Sequence, residues 1–259
     1  MPKATDSQNQ AGTMPPPSSS RRVPAAVWRT YQVASLFIGI MLSVVWTSLW
    51  TKSRPHEEVD AIWQGLFKRQ AVRFRMAAER LGGLVIKVGQ FLSSRVDLMP
   101  KPVIEELQKL QDNVSPAPWP IMRDIVVNEL GPLDQNFITF DENSIAAASL
   151  GQVYSAHLLD GTHVAVKIQR PEIQRIVAAD LSALSLVVAM LTRFTSFGQT
   201  FDLFTVLREF RRMVHEELDY HHELENTETL RDALRDVPYV TIPRTYPDFC
   251  TSRVLVMEF

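Results

Sequence analysis

Two stretches of the chain carry residue types suited to handling phosphate. The first, Ala146 to Lys167, reads AAASLGQVYSAHLLDGTHVAVK. Its small residues, Ala146, Ala147, Ala148, Ser149 and Gly151, precede two short β-prone runs, Val153 to His157 and His163 to Ile168. Asp160-Gly161 stands between the runs, and Asp-Gly is a strong hairpin signal. Small side chains let a loop backbone approach phosphate oxygens that a bulky Cβ would hold away. Lys167 then places a positive charge on the strand that follows. The second stretch, EELDYHHELEN from Glu216, supplies carboxylates, one of which could pair with that lysine. Alone, a strand ending in lysine is an exposed strand end and an acidic run is a solvated face. Loop, turn and lysine in one order favour a nucleotide site.

The spacing matches the protein-kinase pattern of a G-x-G-x-x-G-x-V loop followed by V-A-I-K. Ala146, Ala148, Gly151 and Val153 fall on the loop positions, and Val164-Ala165-Val166-Lys167 falls on the strand. Two glycines have become alanines and Gly151 is kept. In such a lobe the loop covers the phosphates, the lysine pairs with them, and a helix glutamate positions the lysine. The closing run RVLVMEF, through Glu258, resembles the strand that enters the hinge, where adenine meets backbone groups.

The elements that must position these residues are legible in part. The chain has 259 residues, 46% hydrophobic and 22% charged, enough for a sizeable core. A net charge of −2 gives no bulk attraction to nucleic acid. The single cysteine, Cys250, excludes an intrachain disulfide and the cysteine-rich zinc sites, and reads as a small buried hydrophobe. Residues 1–29, with their Pro-Pro-Pro and Ser-Ser-Ser runs, read as a disordered tail without a secretory layout. Thr30 to Thr51 has no charge, is flanked by arginines and Lys52, and carries Trp28, Tyr31, Trp46 and Trp50 near its edges. A transmembrane helix is expected there, with a buried or interfacial helix as the alternative.

Helical periodicity runs from His56 to Asn113. Within it, LGGLVIKVGQFLSSR puts Gly83, Lys87, Gln90 and Ser94 on the face opposite Val88. Gly82, Gly83 and Gly89, read as helical, point to close packing by another backbone, since glycine costs a helix about 1 kcal/mol against alanine. Lys101-Pro102 is expected to end this helix. Ile121 to Leu130 reads as a helix ended by Gly131-Pro132, with a domain boundary following it and Phe137 to Phe140 opening a sheet. Ile173 to Thr192 reads as a buried helix, Thr195 to Gln199 as a loop and Phe201 to Arg235 as one long helix or two. On a continuous helix Glu216, Asp219, Glu223 and Asn226 share a face, whereas Glu217 and Asp219 point about 200° apart. His221 and His222 are adjacent, diverge by about 100° and read as surface residues. Val240 to Pro243 and Arg253 to Phe259 read as strands.

Four motifs in this order, LVIKVGQFLSSR, AAASLGQVYSA, VAVKIQRP and EELDYHHELEN, closely resemble the UbiB (AarF) family of atypical kinase-like proteins. The resemblance covers about residues 60 to 259. It maps a K-x-G-Q motif onto Lys87, Gly89 and Gln90, an alanine-rich loop onto Ala146 to Ser149, and an E-x-D motif onto Glu217 and Asp219. It makes Lys167 the strand lysine and Glu223 its helix partner. The implied fold is α+β: a kinase-like small lobe over 135–259, built on a small antiparallel sheet and preceded by a helical extension over 56–130. The implied K-x-G-Q helix lies over the site, with Lys87 reaching toward the E-x-D carboxylates and the phosphates. The implied activity is ATP hydrolysis or small-molecule phosphorylation, supporting isoprenoid-quinone synthesis at a membrane. ATP and Mg²⁺ are the implied cofactors. Membrane lipid or a quinone precursor, and proteins of quinone biosynthesis, are the implied partners. The kinase-like portion is expected to face the cytoplasm or an equivalent compartment.

A second lobe, with a catalytic-loop aspartate and the metal-holding asparagine and aspartate, is not recognisable in the sequence. The metal ligands are therefore expected outside this chain, which reads as a fragment inactive in phosphoryl transfer on its own. A non-catalytic, membrane-anchored nucleotide-binding or scaffold protein is the alternative. A helical membrane adaptor with an incidental hairpin is the weakest reading.

Overall fold

The computed structural model describes residues 25–110, 114–195 and 200–259. Eight helices and five strands are named among them, in the order α1 (Ala25–Thr51), α2 (His56–Leu81), α3 (Leu84–Ser94), α4 (Lys101–Leu107), α5 (Trp119–Leu130), β1 (Phe137–Phe140), β2 (Ala146–Ala147), β3 (Gly151–Leu158), β4 (His163–Gln169), α6 (Ile173–Phe194), α7 (Leu203–Glu217), α8 (Tyr220–Ala233) and β5 (Val254–Glu258). Short 3₁₀ turns at Leu133–Gln135 and Pro247–Phe249 precede β1 and β5. The expected tail lies outside the described residues up to 24. From Ala25 onward it is corrected, because α1 starts ahead of Thr30. Most of the expected 195–199 loop also lies outside them.

The sheet is antiparallel, in the order β1-β3-β4-β5, with β2 sharing β3's outer edge. The hairpin forms as its Asp-Gly signal predicts, with Gly161 at φ 85°, a conformation that favours glycine. Strand side chains alternate between faces. Tyr154, Ala156 and Leu158 of β3, Val164, Val166 and Ile168 of β4, and Val254 and Val256 of β5 form one apolar face. It packs against Met122, Ile125 and Val126 of α5. The opposite face carries Val153 beside Lys167, Ala165 beside Met257, and His157 beside His163.

A second core is mostly helical, with Leu110, Leu150 and Leu218 added from the connecting segments. Val33, Ala34 and Leu36 of α1 meet Phe74 and Ala78 of α2, Leu84 to Ile86 and Val88 of α3, Val177, Leu181 and Leu184 of α6, and Phe210 and Val214 of α7. Arg29 of α1 reaches across this layer to Asp180 of α6, at 2.8 and 2.7 Å, and also donates to the carbonyls of Leu81 and Gly82. Arg75 of α2 pairs with buried Glu106 of α4 at 2.7 Å.

Several expectations are corrected. Gly82 and Gly83 lie outside the helices: both have positive φ, 62° and 59°, and form the break between α2 and α3. Gly89 is helical, but side chains rather than a backbone cover it; a Cβ there would meet Leu110 and Phe74. Lys101 and Pro102 open α4 instead of closing a helix, a position where proline's missing N–H leaves no bond unmade. Val240 to Pro243 forms no strand; only Thr245 bridges to Met257. The helix from 201 onward is interrupted at Leu218-Asp219, so Glu216, Asp219, Glu223 and Asn226 do not share one face. Helix α6, by contrast, is the buried helix expected, with Ile173, Val177, Leu181, Ala183 and Leu184 in the helical core. At 22 residues it is also, with α1, one of two described helices long and apolar enough to cross a membrane by length and composition.

Candidate functional site

The two cores meet where α7 gives way to α8. Glu217 is the last residue of α7, Leu218 turns into the core, and the Asp219 side chain caps α8 by accepting from the His221 amide at 3.1 Å. A carboxylate at an N-cap satisfies an otherwise unpaired helix amide and favours the dipole. This interruption removes the geometric conflict of two carboxylates two residues apart, since Glu217 and Asp219 take different partners. Although burial favours its protonated form, the amide and ring of His221 hold the Asp219 carboxyl below the usual carboxylate range. His221 and His222 are exposed.

Position along the sheet comes from Gln169, at the end of β4. Its side-chain amide donates to the carbonyl of Leu218 and, at 2.9 Å, to that of Ser252. The Tyr220 amide donates to the same Ser252 carbonyl at 3.1 Å. The start of α8 is thereby tied to β4 two residues beyond Lys167. Glu223 lies in the first turn of α8, and Lys167 Nζ donates to both its oxygens, at 2.8 and 2.6 Å. On the helical side Lys87 of α3 pairs with Glu217 at 2.5 Å. The four side chains keep 16–37% of their exposure, so each pair borders solvent. Exposed pairs contribute about 1 kcal/mol or less to stability, so their effect here is chiefly to place charge.

Tyr220 lies between the pairs. Lys167 Nζ stands 4.8 Å from the centre of its ring, within range for a cation over an aromatic face. The ring is buried, and a Cβ on Gly151 would collide with its hydroxyl. Burial, then the charges of Glu223 and Glu217, push the phenol far above its ordinary value, so it stays protonated. Gly151 is therefore needed for the close approach of an aromatic side chain beneath the loop.

Of the residues singled out in the sequence, Ala146 and Ala147 lie in β2, Ala148 and Ser149 in the turn that follows, Gly151 and Val153 in β3, and Ala165 and Lys167 in β4. Lys87 and Gln90 share α3. Glu258 ends β5 away from the ion pairs; its amide donates to the carbonyl of Arg244 at 2.7 Å and is unavailable to a ligand. Gln169 and Tyr220 were not singled out. Tyr220 had a visible signal, an aromatic residue inside an acidic run, whereas Gln169 had none.

Among the described residues no group of three or more His, Cys, Asp or Glu side chains is placed to hold a metal. Cys250 is partly buried against the backbone of Tyr246 and Val256, and burial pushes its thiol up.

Comparison with known proteins gives one consistent result. The model of the ABC1 atypical kinase-like domain matches residues 109–259. A Marinobacter nauticus protein named "Probable protein kinase UbiB" is 36% identical over 187 residues, covering 72% of this chain and 34% of the relative. A Pasteurella multocida protein of the same name is 37% identical over 202 residues, covering 74% and 38%. The solved structure of a Mycobacterium tuberculosis protein in complex with erythromycin superposes with a TM-score of 0.51 at 30% identity, covering 79% of this chain and 51% of that one. The chain thus spans about a third of the length of these curated relatives.

Proposed function

The chain belongs to the ABC1 atypical kinase-like family, and on that premise we propose that it forms the ATP-binding lobe of a UbiB-type kinase or ATPase supporting isoprenoid-quinone synthesis. The observation that carries this reading is the Lys167–Glu223 pair, which joins a strand lysine to a helix carboxylate beside a loop of small residues. That arrangement holds an ammonium at a fixed point near the loop backbone. The loop backbone from Ala146 to Gly151, whose Ala148 amide is itself held by the Gly151 carbonyl at 2.8 Å, and the charge of Lys167 would receive the phosphates. Val153 and Ala165, on the same sheet face, would cover the base. Lys87, held by Glu217 at the edge of α3, would bring a second charge to the phosphates from the helical side. Gln90 follows on the same helix, and Asp219 shapes the site by starting α8. These residues bind and orient the nucleotide.

Membrane association is part of the proposal and rests on α1. Its N-terminal half is built into the helical core, whereas Leu42, Trp46, Leu49 and Trp50 near its C-terminal end are exposed. Arg54 stacks on Trp50 at 3.7 Å, a pairing suited to a headgroup boundary. A lipid or quinone precursor would be met from that side, with the nucleotide site in the cytoplasm or its equivalent.

The test is thermal denaturation of the whole protein with and without ATP. Stabilisation that grows with ATP concentration in the wild type and is absent in Lys167→Ala supports the site. No stabilisation of the wild type at any ATP concentration overturns it. Turnover measured on the same sample separates an enzyme from a nucleotide-binding scaffold.

A further inference from the structure

The alanine loop is not a free flap. It is fastened from behind to the segment 114–117, which follows the helical layer in the chain. The Arg170 side chain bridges the two. Its Nε donates to the carbonyl of Ala148 at 2.7 Å, and its Nη2 donates to the carbonyls of Ser115 at 2.9 Å and Val114 at 3.4 Å. The Arg170 backbone amide takes the carbonyl of Leu150 at 2.9 Å. The Val114 amide completes the seam by donating to the carbonyl of Ala147 at 3.1 Å. One residue into β3, Gln152 accepts from the Ala117 amide at 2.5 Å.

A guanidinium is a planar fork of fixed donors, and hydrogen bonds from a charged donor are the stronger kind. One arginine thus fixes carbonyls of two segments 30 residues or more apart in the chain. In a trans peptide the carbonyl and the next amide point in opposite directions. Holding the Ala148 carbonyl on Arg170 therefore sets the direction of the Ser149 amide. Arg170 stands three residues after Lys167 on the same chain segment, so it relates the loop to the strand lysine as well.

We propose that Arg170 is a positioning residue: it latches the alanine loop to segment 114–117 and holds the loop amides in the orientation that receives phosphate. The second half of this inference rests on the nucleotide reading; the latch itself does not. The latch also makes the loop dependent on the segment joining α4 to α5, so displacement of the helical layer would be felt at the phosphate end of the site.

The experiment compares wild type, Arg170→Lys and Arg170→Ala in the whole protein, with Arg175→Ala as an exposed arginine control. Amide hydrogen exchange without nucleotide is read at residues 114–117, 146–151 and 254–258. Faster exchange at the first two together, with 254–258 unchanged, is expected for both Arg170 variants. Unchanged exchange at the first two, or an equal rise at all three, overturns the latch. Affinity for a fluorescent ATP analogue is then expected to weaken about tenfold in Arg170→Lys, which keeps the charge but not the fork. Loosened segments with unchanged affinity overturn the positioning role. A wild type that binds no analogue overturns the nucleotide reading, and the exchange data still decide the latch. If Arg170→Ala does not fold, Arg170→Lys carries both readouts.

Discussion

The helical core and the sheet core are built on different terms. Around the sheet, the buried polar side chains are neutral: Gln152, Gln169 and Thr245. The helical layer contains the two carboxylates buried among the described residues, Glu106 and Asp180, each matched to an arginine on another helix. Apolar strands register themselves through a backbone ladder and alternating side chains. Helices packing side by side have no ladder between them, and α1, α2, α4 and α6 are instead cross-linked by directional charge pairs. The candidate site occupies the seam. Lys167 comes from the sheet, Lys87 from the helical layer, and their partners Glu223 and Glu217 flank the break between α7 and α8. The structure thus places both ammonium groups around a single helix interruption, and the seam is only as well positioned as its weaker side.

The largest expected effect tests the helical layer. Arg29→Ala strands the Asp180 carboxylate in the core, and breaking a buried pair costs about 3–5 kcal/mol. Denaturant unfolding followed by exchange should show the loss in α1, α3 and α6 first; an equal loss of protection in β3 and β4 would mean the two cores unfold as one. The matching change on the other side is Met122→Ala. It opens a cavity beneath the sheet and should cost about 2–5 kcal/mol, with exchange rising in β3, β4 and β5 before the helical layer. At the seam, Gly151→Ala pushes a methyl into the Tyr220 hydroxyl and to 3.0 Å from the Ile168 carbonyl. Its cost should be about 1–3 kcal/mol, and nucleotide affinity should fall with it; a variant as stable as the wild type would show that Tyr220 moves aside without strain.

The smallest effect is in acid. Hydrogen bonds from Lys109 and then Arg75 hold the Glu106 carboxyl below the usual carboxylate range. A depressed folded value means the stabilisation is fully present above the unfolded value near 4.3 and is lost as pH falls through the folded one. Melting temperatures measured from neutral pH down to acid should therefore fall less steeply for Glu106→Gln than for the wild type. Parallel profiles would remove the contrast in acid sensitivity between the two cores.

The sequence alone determined what depends on neighbours along the chain. Alternation and Asp160-Gly161 specified the hairpin, Gly131-Pro132 marked the end of α5, and the run from Ile173 was legible as the buried helix α6. The order of four motifs specified the family, and with it the expectation that Lys167 meets Glu223. Tertiary structure decided what depends on groups far apart. Gly82-Gly83 reads as weak helix until Arg29, more than fifty residues earlier, is seen to hold carbonyls at the break. Whether one helix or two runs through Leu218-Asp219 stays open in the sequence, and Gln169 and Ser252 decide it by tying the start of α8 to the sheet. Val240 to Pro243 has strand composition and forms none, while β5 pairs with β4 on one side and takes only an isolated bridge from Thr245 on the other. Gln169 and Arg170 carry no local signal for their positions, and Tyr220 carries only that of an aromatic residue inside an acidic run. Each acts through a carbonyl, an ammonium or a loop that only the folded chain brings within hydrogen-bonding or ring-contact range.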